Sequence, residues 1–194
     1  MVVLAAGASR RLPGPKQLLR YRGVSLLRRA AQTAVAAACG PVVVVLPADA
    51  PALRAELAGL PARIVENAAA ARGLSTSLRC GLEALLPEAP DAVLFMACDQ
   101  PLLTPDTLRH LVAAFADGAP PAVACEYAGT VGVPALFGPA LFDELRGVSG
   151  DRGARQVLQR HRVETVRVPF EPAALDVDTP GDVARLPPVE DDRA

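Results

Sequence analysis

The sequence is poor in lysine, histidine and aromatic residues. Its 194 residues contain one lysine, Lys16, beside 19 arginines, two histidines and no tryptophan. The net charge is −1, so the chain lacks the positive field that binds a nucleic acid or an anionic membrane, and we expect neither as a partner. Its apolar runs, such as residues 41–48, are too short to cross a bilayer.

Cysteines are also few. The four of them are scattered, form no C-x-x-C pair and have only two histidines as company, which argues against a zinc site or a disulfide framework. The first residues lack the charged start and apolar stretch of a signal peptide. Free thiols in such a chain are typical of a reducing compartment, so we expect a cytoplasmic protein.

What the chain does have is an alternation of apolar β-branched runs with helical segments. Its length suits one core, and we expect one domain over residues 1–186 followed by a disordered tail at 187–194. The order predicts an α/β fold with three layers, in which helices cover both faces of a mostly parallel sheet. The predicted strands are 1–4, 41–46, 62–66, 91–97, 121–126, 163–168 and 174–177; the predicted helices are 25–39, 51–59, 74–86, 104–118, 139–147, 153–161 and one from Thr179.

Ligands of such sheets bind beyond the carboxyl ends of the strands. The loop after the first strand reads Ala5-Ala6-Gly7-Ala8-Ser9 and continues through Arg11 to Lys16. Small residues let phosphate approach the backbone amides, and the cations supply fixed charge. It is not a Walker A loop, because Gln17 stands where that loop has its magnesium-binding hydroxyl. A Gly/Pro-rich surface turn, with Lys16 an accident of composition, is the alternative.

Two carboxylates follow other predicted strands. Asp99 follows the strand at 91–97, and Asp178, two residues after Asp176, follows the one at 174–177. Magnesium takes one or two carboxylates together with phosphate oxygens and water, so Asp99 and Asp178 are candidate Mg²⁺ ligands. The alternatives are turn capping by Asp99, and capping by Asp178 or Thr179 of the helix that Pro180 begins.

Two further polar groups complete the candidate site. Asn67 can read a base or ribose edge, and Ser75 can bind an anion or cap the helix that begins near it. Arg152 and Arg155, in the segment "SGDRGAR", suit a second phosphate-bearing ligand, although a solvated turn explains that segment equally well.

Five segments in this order resemble the molybdenum cofactor nucleotidyltransferases, in particular the cytidylyltransferases. They are the opening loop, "CDQPLLTPDTL", "GVPALFG", "GDRGAR" and "DVDTP", and the resemblance runs from Val2 to about Leu186. It implies a Rossmann-like fold of the nucleotide-diphospho-sugar transferase type. It also implies transfer of CMP from CTP to the phosphate of molybdopterin with release of pyrophosphate, the product serving xanthine-dehydrogenase-type hydroxylases.

The resemblance also implies roles for individual residues. Leu4, Ala5, Ala6 and Gly7 would line the base and ribose, with Asn67 and Ser75 also at the nucleotide. Arg11 and Lys16 would hold the triphosphate, Asp99 and Asp178 the Mg²⁺, and Arg152 and Arg155 the acceptor.

Three alternatives stay open. The cytidylyltransferase of isoprenoid precursor synthesis shares the "LAAG…PKQ" opening but has no counterpart of "GDRGAR". A guanylyltransferase that makes the other molybdopterin dinucleotide is the second, and a non-catalytic carrier of the finished cofactor is the third. CTP is favoured over GTP, because the methyl group of Ala6 narrows the space beside the base where the guanylyltransferases usually have a glycine pair.

Overall fold

The centre of the fold is β1 (Val2–Leu4), whose neighbours in the sheet come from distant parts of the chain. In the computed structural model β1 pairs in parallel with β4 (Val43–Pro47) on one side and β6 (Val93–Ala97) on the other. β5 (Arg63–Asn67) adds a further parallel strand beyond β4. This arrangement confirms the predicted mostly parallel sheet.

The structure describes residues 1–9, 11–151 and 153–187. Arg152, predicted to bind the acceptor, and nearly all of the predicted disordered tail, residues 188–194, lie outside the described residues. Within those ranges no helix is both long and apolar enough to cross a membrane. The assignment of residues 1–186 to one domain stays a prediction.

The remaining elements complete one large sheet and its two helical layers. The other strands are β2 (Arg20–Tyr21) and β3 (Val24–Ser25), which pair only with each other, and β7 (Ala122–Tyr127), β8 (Thr130–Phe137) and β9 (Val166–Pro169). The helices are α1 (Leu26–Ala37), α2 (Pro51–Glu56), α3 (Leu74–Leu85), α4 (Pro105–Ala116), α5 (Phe142–Gly147), α6 (Gly153–Arg160) and α7 (Pro180–Ala184). The large sheet has the order β5-β4-β1-β6-β8-β7-β9.

Alternation along the strands sends side chains to two separate cores. Val2 and Leu4 belong to one cluster with Leu82 of α3, whereas Val3 belongs to the other with Leu27 of α1. Because successive side chains of a strand point to opposite faces, a strand buried on both faces needs an unbroken apolar run, which is what β1 has. Helices α3, α5 and α6 cover the first face and α1, α2 and α4 the second, which confirms the three-layer α/β/α arrangement.

β8 was not predicted. It runs antiparallel between β6 and β7, and its Gly132 and Pro134 interrupt the apolar pattern by which strands are found. Gly132 lies under the hydroxyl of Tyr127 on β7, and a Cβ at position 132 would collide with that hydroxyl. The residue that hides the strand in the sequence is therefore the one that lets β7 and β8 pack together.

The predicted strand at 174–177 is wrong. Glu171–Ala174 forms a 3-10 turn with Pro172 in its first turn, and Leu175–Val177 is an irregular segment. The segment Ala-Leu-Asp-Val has only four residues, which is too short for periodicity to identify a strand. The amide of Val177 nevertheless donates a hydrogen bond of 2.9 Å to the carbonyl oxygen of Asp99, and this contact attaches the segment to the loop after β6.

The contact between Gly81 of α3 and Val2 of β1 generates a test of the packing. A methyl group at position 81 would overlap the Val2 side chain, whereas one at Gly147, the last residue of α5, meets only open space. Gly81→Ala should lower the free energy of unfolding by about 1–2 kcal/mol, because overpacking costs up to about 3 kcal/mol and the helix-propensity gain offsets about 1 kcal/mol of it. Gly147→Ala is the control and should lose nothing in urea unfolding. Equal stability of the two variants would contradict this packing.

Candidate active site

Three distant chain segments meet at the carboxyl ends of β1 and β6. The loop after β1 carries Lys16, and the amide of Cys98 continues the β1–β6 pairing with a hydrogen bond to Leu4, which places Asp99 beside that loop. The bond from Val177 to the Asp99 carbonyl adds the third segment, which carries Asp178. Adjacent parallel strands end at one edge of a sheet, which brings residues 16 and 99 together, and the hydrogen bond of Val177 adds residue 178.

Lys16 connects the two carboxylates. Its Nζ lies 2.5 Å from Oδ2 of Asp99 and 2.6 Å from Oδ1 of Asp178. The other oxygen of Asp178, Oδ2, accepts a hydrogen bond of 2.5 Å from Nη2 of Arg11. The Lys16 and Asp99 side chains are only 12% and 15% exposed, and Arg11 is 65% exposed. Each of the four residues predicted to hold phosphate or metal is thus in one ion-paired cluster.

The charge state of the cluster follows from this geometry. Burial alone would lower the pKa of Lys16, but the carboxylates of Asp99 and Asp178 outweigh it and raise that pKa above its ordinary value. Burial raises the pKa of the neighbouring Asp176, and the charges of Asp99 and Asp178 raise it further. Lys16 is therefore an ammonium at physiological pH, held in a group of three carboxylates.

Thr179 resolves the question of which residue caps α7. Its hydroxyl oxygen accepts a hydrogen bond from the amide of Asp182, and the Asp182 carboxylate accepts one of 2.8 Å from the amide of Thr179. This reciprocal capping box satisfies the start of the helix without Asp178. The side chain of Asp178 is therefore available to Lys16 and Arg11.

Gln17 shapes the loop after β1, a role that the sequence did not reveal. Its buried Nε2 donates hydrogen bonds of 2.9 and 2.8 Å to the carbonyls of Ala5 and Gly7. The hydroxyl of Ser9 accepts from the amide of Lys16 at 2.8 Å and lies 3.3 Å from Gln17 Oε1. The loop is therefore held from inside. In the sequence, Gln17 is noticeable only because it directly follows Lys16. That position showed that the loop is not a Walker A loop, and it did not indicate hydrogen bonds to the loop carbonyls.

Two clefts open at this cluster. The small cleft has a volume of about 280 Å³ and the large cleft about 580 Å³, and they share Ala6, Gly7, Lys16, Leu74 and Asp151. The small cleft is lined in addition by Ala8, Ser9, Arg11, Ala70, Ala71, Gly73, Ser77 and Asp178. The large cleft is lined in addition by Leu4, Leu78, Ala97, Cys98, Asp99, Gln100, Tyr127, Gly132, Val133, Ala154, Arg155, Ala173, Ala174 and Asp176.

A third cleft, of about 560 Å³, lies between the loop after β1 and residues 47–53. Its lining contains neither Lys16 nor either of the two carboxylates that Lys16 contacts. The chemistry-bearing residues therefore select the small and large clefts as the candidate site.

Asn67 and Ser75 lie behind the wall of the small cleft. Asn67 is 3% exposed, and its Nδ2 donates to the hydroxyls of Thr76 and Ser77 at 2.8 and 2.9 Å while its Oδ1 accepts from the amide of Ala69. Ser75 is equally buried, and its amide donates to the carbonyl of Gly150. Direct contact of either residue with a nucleotide stays a prediction. The capping role considered for Ser75 is wrong, because Gly73 occupies the N-cap position of α3.

The remaining predicted residues divide between cleft and core. Leu4, Ala6 and Gly7 line the clefts, whereas the side chain of Ala5 packs into the core beneath α1. Arg155 lines the large cleft, with its Nη2 3.2 Å from the hydroxyl of Thr130. Their ligand contacts stay predictions.

Asp151 was missed as a cleft residue. It lines both clefts, and its carboxylate lies so close to Gly73, where φ is +111°, that a Cβ there would come within 2.8 Å of Oδ1. Only glycine combines that backbone angle with that approach. Gly73 and Asp151 are 78 residues apart in the sequence, so no local pattern could predict that they lie close together.

The donor set suits a hard divalent cation that arrives with phosphate. Among residues 1–9, 11–151 and 153–187, no three His, Cys, Asp or Glu side chains cluster closely enough to hold a metal by themselves. Asp99 and Asp178 each present one oxygen to the same ammonium, so a cation in the place of that ammonium could touch both. Two carboxylates completed by phosphate and water are what Mg²⁺ and Mn²⁺ accept in proteins.

Residues 1–166 match the family model described as MobA-like NTP transferase domain. The chain is 35% identical to nicotine blue oxidoreductase of Paenarthrobacter nicotinovorans, over 95% of this chain and 94% of that protein. It is 34% identical to the crystal structure of Rv0371c from Mycobacterium tuberculosis, with a TM-score of 0.79 and 95% of each chain covered. Rv0371c has also been solved in complex with manganese, where the TM-score is 0.77, the identity 33% and the coverage again 95% of each chain.

A more distant structure shares the fold alone. Molybdopterin-guanine dinucleotide biosynthesis protein A from Archaeoglobus fulgidus is 18% identical, with a TM-score of 0.69 over 95% of this chain and 94% of that one. The family is broader than the cytidylyltransferases that the sequence resembles, and its members carry different names. The match over more than half of the chain, together with the ion-paired site at its strand ends, makes this chain a member of the MobA-like NTP transferase family of nucleotidyltransferases.

Proposed function

We propose that this protein transfers CMP from CTP to the phosphate of molybdopterin and releases pyrophosphate. The observation that carries the proposal is the meeting of two clefts at Lys16, which contacts Asp178 of the small cleft and Asp99 of the large cleft. A transferase of this kind must hold a donor and an acceptor on either side of the phosphorus that changes partners. Lys16 lies at that boundary, because it lines both clefts.

The small cleft suits the nucleotide. Arg11 and Lys16 lie at its charged end, where they would hold the triphosphate, with the amides around Gly7 beside them. Ala6 and Gly7 would face the base and ribose, opposite the turn at Ala70–Gly73, and Leu4 would approach the same group from the large cleft. In this arrangement Asn67 and Ser75 support that turn and the start of α3 from behind.

The large cleft suits the acceptor. Arg155 would bind its phosphate, with Arg152 as a second candidate from the same segment. A phosphate oxygen of the acceptor attacks the α-phosphorus of CTP, and the bond from that phosphorus to the oxygen bridging it to the β-phosphate breaks. The electron pair leaves with pyrophosphate, so this step needs no oxidant or reductant. The product would serve a xanthine-dehydrogenase-type hydroxylase in the cytoplasm.

Charge supports a requirement for divalent metal. The described cations that line the two clefts are Arg11, Lys16 and Arg155, and the described carboxylates are Asp99, Asp151, Asp176 and Asp178. With more carboxylates than cations, such a site repels a polyphosphate unless a cation accompanies it. Asp99 and Asp178 would hold Mg²⁺. When bound, that ion would neutralise charge on the phosphate oxygens during an in-line displacement.

Lys16 would act on the same charge from the protein side. Its ammonium sits on a flexible stem and can follow an α-phosphate oxygen as negative charge builds there. Arg11 is more exposed and would hold the outer phosphates. The two residues together would orient the triphosphate for departure of pyrophosphate.

An oxidoreductase activity is the second candidate. It is favoured by one observation, the name of the Paenarthrobacter relative that is 35% identical over nearly the whole chain. An oxidoreductase activity does not explain why Lys16, Asp99, Asp178 and Arg11 form one ion-paired cluster. A non-catalytic carrier would bind nucleotide and pterin without releasing pyrophosphate, which separates it from both enzymatic readings.

The decisive experiment follows pyrophosphate release by purified protein with Mg²⁺, molybdopterin and each nucleoside triphosphate in turn. We expect turnover with CTP, and a kcat/KM for CTP about tenfold or more above that for GTP, because the Ala6 methyl group narrows the space beside the base. A preference for GTP would reject the cytidylyl assignment and keep the nucleotidyltransferase. Oxidation of a reduced nicotinamide coenzyme with a dye acceptor, and no pyrophosphate, would favour the second candidate.

Asp99→Asn tests the metal site. The amide keeps the shape of the side chain but removes the charge that binds the cation. We expect turnover to fall on the order of 10³-fold, since a metal clamp contributes several kcal/mol and each 1.4 kcal/mol is tenfold. Asp106→Asn makes the same change at an exposed carboxylate on α4, 74% exposed, and is the matched control. Full activity of Asp99→Asn, or of the wild type in excess chelator, would reject the metal assignment.

A further inference from the structure

Lys16 stands where the proposed metal would stand. Its Nζ lies between Oδ2 of Asp99 and Oδ1 of Asp178, and the ammonium already supplies the positive charge that both oxygens require. A divalent cation cannot enter between the same two oxygens while the ammonium remains, because the space is taken and two cations would repel each other. Without nucleotide, the carboxylate pair is compensated by the protein itself.

Arg11, the second cation of the cluster, is also a candidate ligand of phosphate. Arg11 holds the remaining oxygen of Asp178, yet it also lines the small cleft with Lys16. Both partners of the carboxylates are therefore the cations expected to bind a triphosphate. When phosphate draws them away, Asp99 and Asp178 lose compensation at the moment when a metal can arrive with the nucleotide.

The structure also leaves Lys16 room to change partners. Its backbone amide is fixed by the hydroxyl of Ser9 at 2.8 Å, so the main chain can stay in place while the side chain moves. The side chain passes over Gly7, where an added Cβ would lie 3.9 Å from Lys16 Cε, an ordinary contact. A lysine has a flexible four-carbon stem and can re-aim its ammonium without moving its Cα atom.

We propose that Lys16 is the resident counter-ion of the Asp99–Asp178 pair, and that a divalent cation binds between these carboxylates only when a nucleoside triphosphate withdraws the ammonium. The inference rests on the proposed nucleotide site and adds to it a rule of binding. Metal and nucleotide then bind cooperatively, and by linkage each raises the affinity for the other by the same factor. Such coupling keeps free metal out of the empty site.

Manganese binding to the protein alone tests this rule, because the metal needs no turnover to be observed. Electron paramagnetic resonance measures free Mn²⁺ in titrations of wild type and Lys16→Met, without nucleotide. We expect Lys16→Met to bind Mn²⁺ at least tenfold more tightly than wild type, since it leaves Asp99 without its cation and Asp178 with Arg11 alone. Arg54→Met removes an exposed arginine that pairs with Glu66 and lines neither the small nor the large cleft, and it should leave Mn²⁺ binding unchanged. Asp99→Asn combined with Lys16→Met should lose the gain.

A measurement on the wild type keeps the test independent of whether Lys16→Met folds. Adding CTP to wild type and Mn²⁺ should convert the metal to a protein-bound spectrum distinct from that of Mn²⁺ with CTP alone. Tight Mn²⁺ binding by nucleotide-free wild type, or no gain in Lys16→Met, would overturn the inference even if pyrophosphate release succeeds. A gain in Lys16→Met together with no pyrophosphate release would instead reject the proposed function and leave the counter-ion role intact.

Discussion

The site depends on one ammonium held between two carboxylates. Asp99, Asp176 and Asp178 would repel one another if nothing stood among them, and their repulsion would push apart the loop after β6 and the segment before α7. Lys16 offsets that repulsion, with both of its contacts at hydrogen-bond distance and little exposure to water. Removing one partner of such a pair leaves an uncompensated charge in a partly desolvated place, which costs about 3–5 kcal/mol when the burial is deep. Here the cost would be smaller, because Asp178 still reaches solvent and Arg11.

The fold brings Lys16 and the two carboxylates together from three separate segments. β1 and β6 are neighbours, so the loops that follow them, which carry Lys16 and Asp99, end side by side. A backbone hydrogen bond from Val177 to the Asp99 carbonyl and one from Gln100 Nε2 to the Ala173 carbonyl then attach the third segment. Thr179 completes the arrangement, since its capping of α7 leaves the adjacent carboxylate to the cluster. Gln17 holds the loop carbonyls from inside, so the cations project from a loop whose path is set by buried hydrogen bonds.

The sequence predicted those elements that are determined by interactions between residues close together in the chain. The buried strands at 43–47 and 93–97 are unbroken apolar runs, and Thr104 with Pro105 marks the start of α4, because these signals lie within a few residues of what they specify. β8 was not predicted because Gly132 breaks its apolar pattern. A glycine is required there by the hydroxyl of Tyr127, which lies on another strand. The segment at 174–177 was wrongly predicted as a strand because four residues are too few for periodicity to decide, and its contact with Asp99 is non-local. Asp178 was predicted as a site residue on the basis of a strand that the structure does not contain. Its position depends on the contact between Val177 and Asp99. Gln17 and Asp151 act through partners that spacing does not reveal.

The geometry gives the single lysine of this arginine-rich chain a physical reason. Nineteen other basic positions carry arginine, so composition alone would put arginine at position 16 as well. Between Asp99 and Asp178 the cation must contact one oxygen of each carboxylate at about the length of a charge-assisted hydrogen bond. The space is confined, since the Lys16 side chain is only 12% exposed. A point-like ammonium with three rotatable donors meets that demand. A planar guanidinium pairs best with both oxygens of one carboxylate, and its wider fork would separate the two acids. Arginine serves at position 11, where Asp178 offers its outer oxygen at the surface. The difference between the two basic residues therefore follows the difference between a bridging site and an open one.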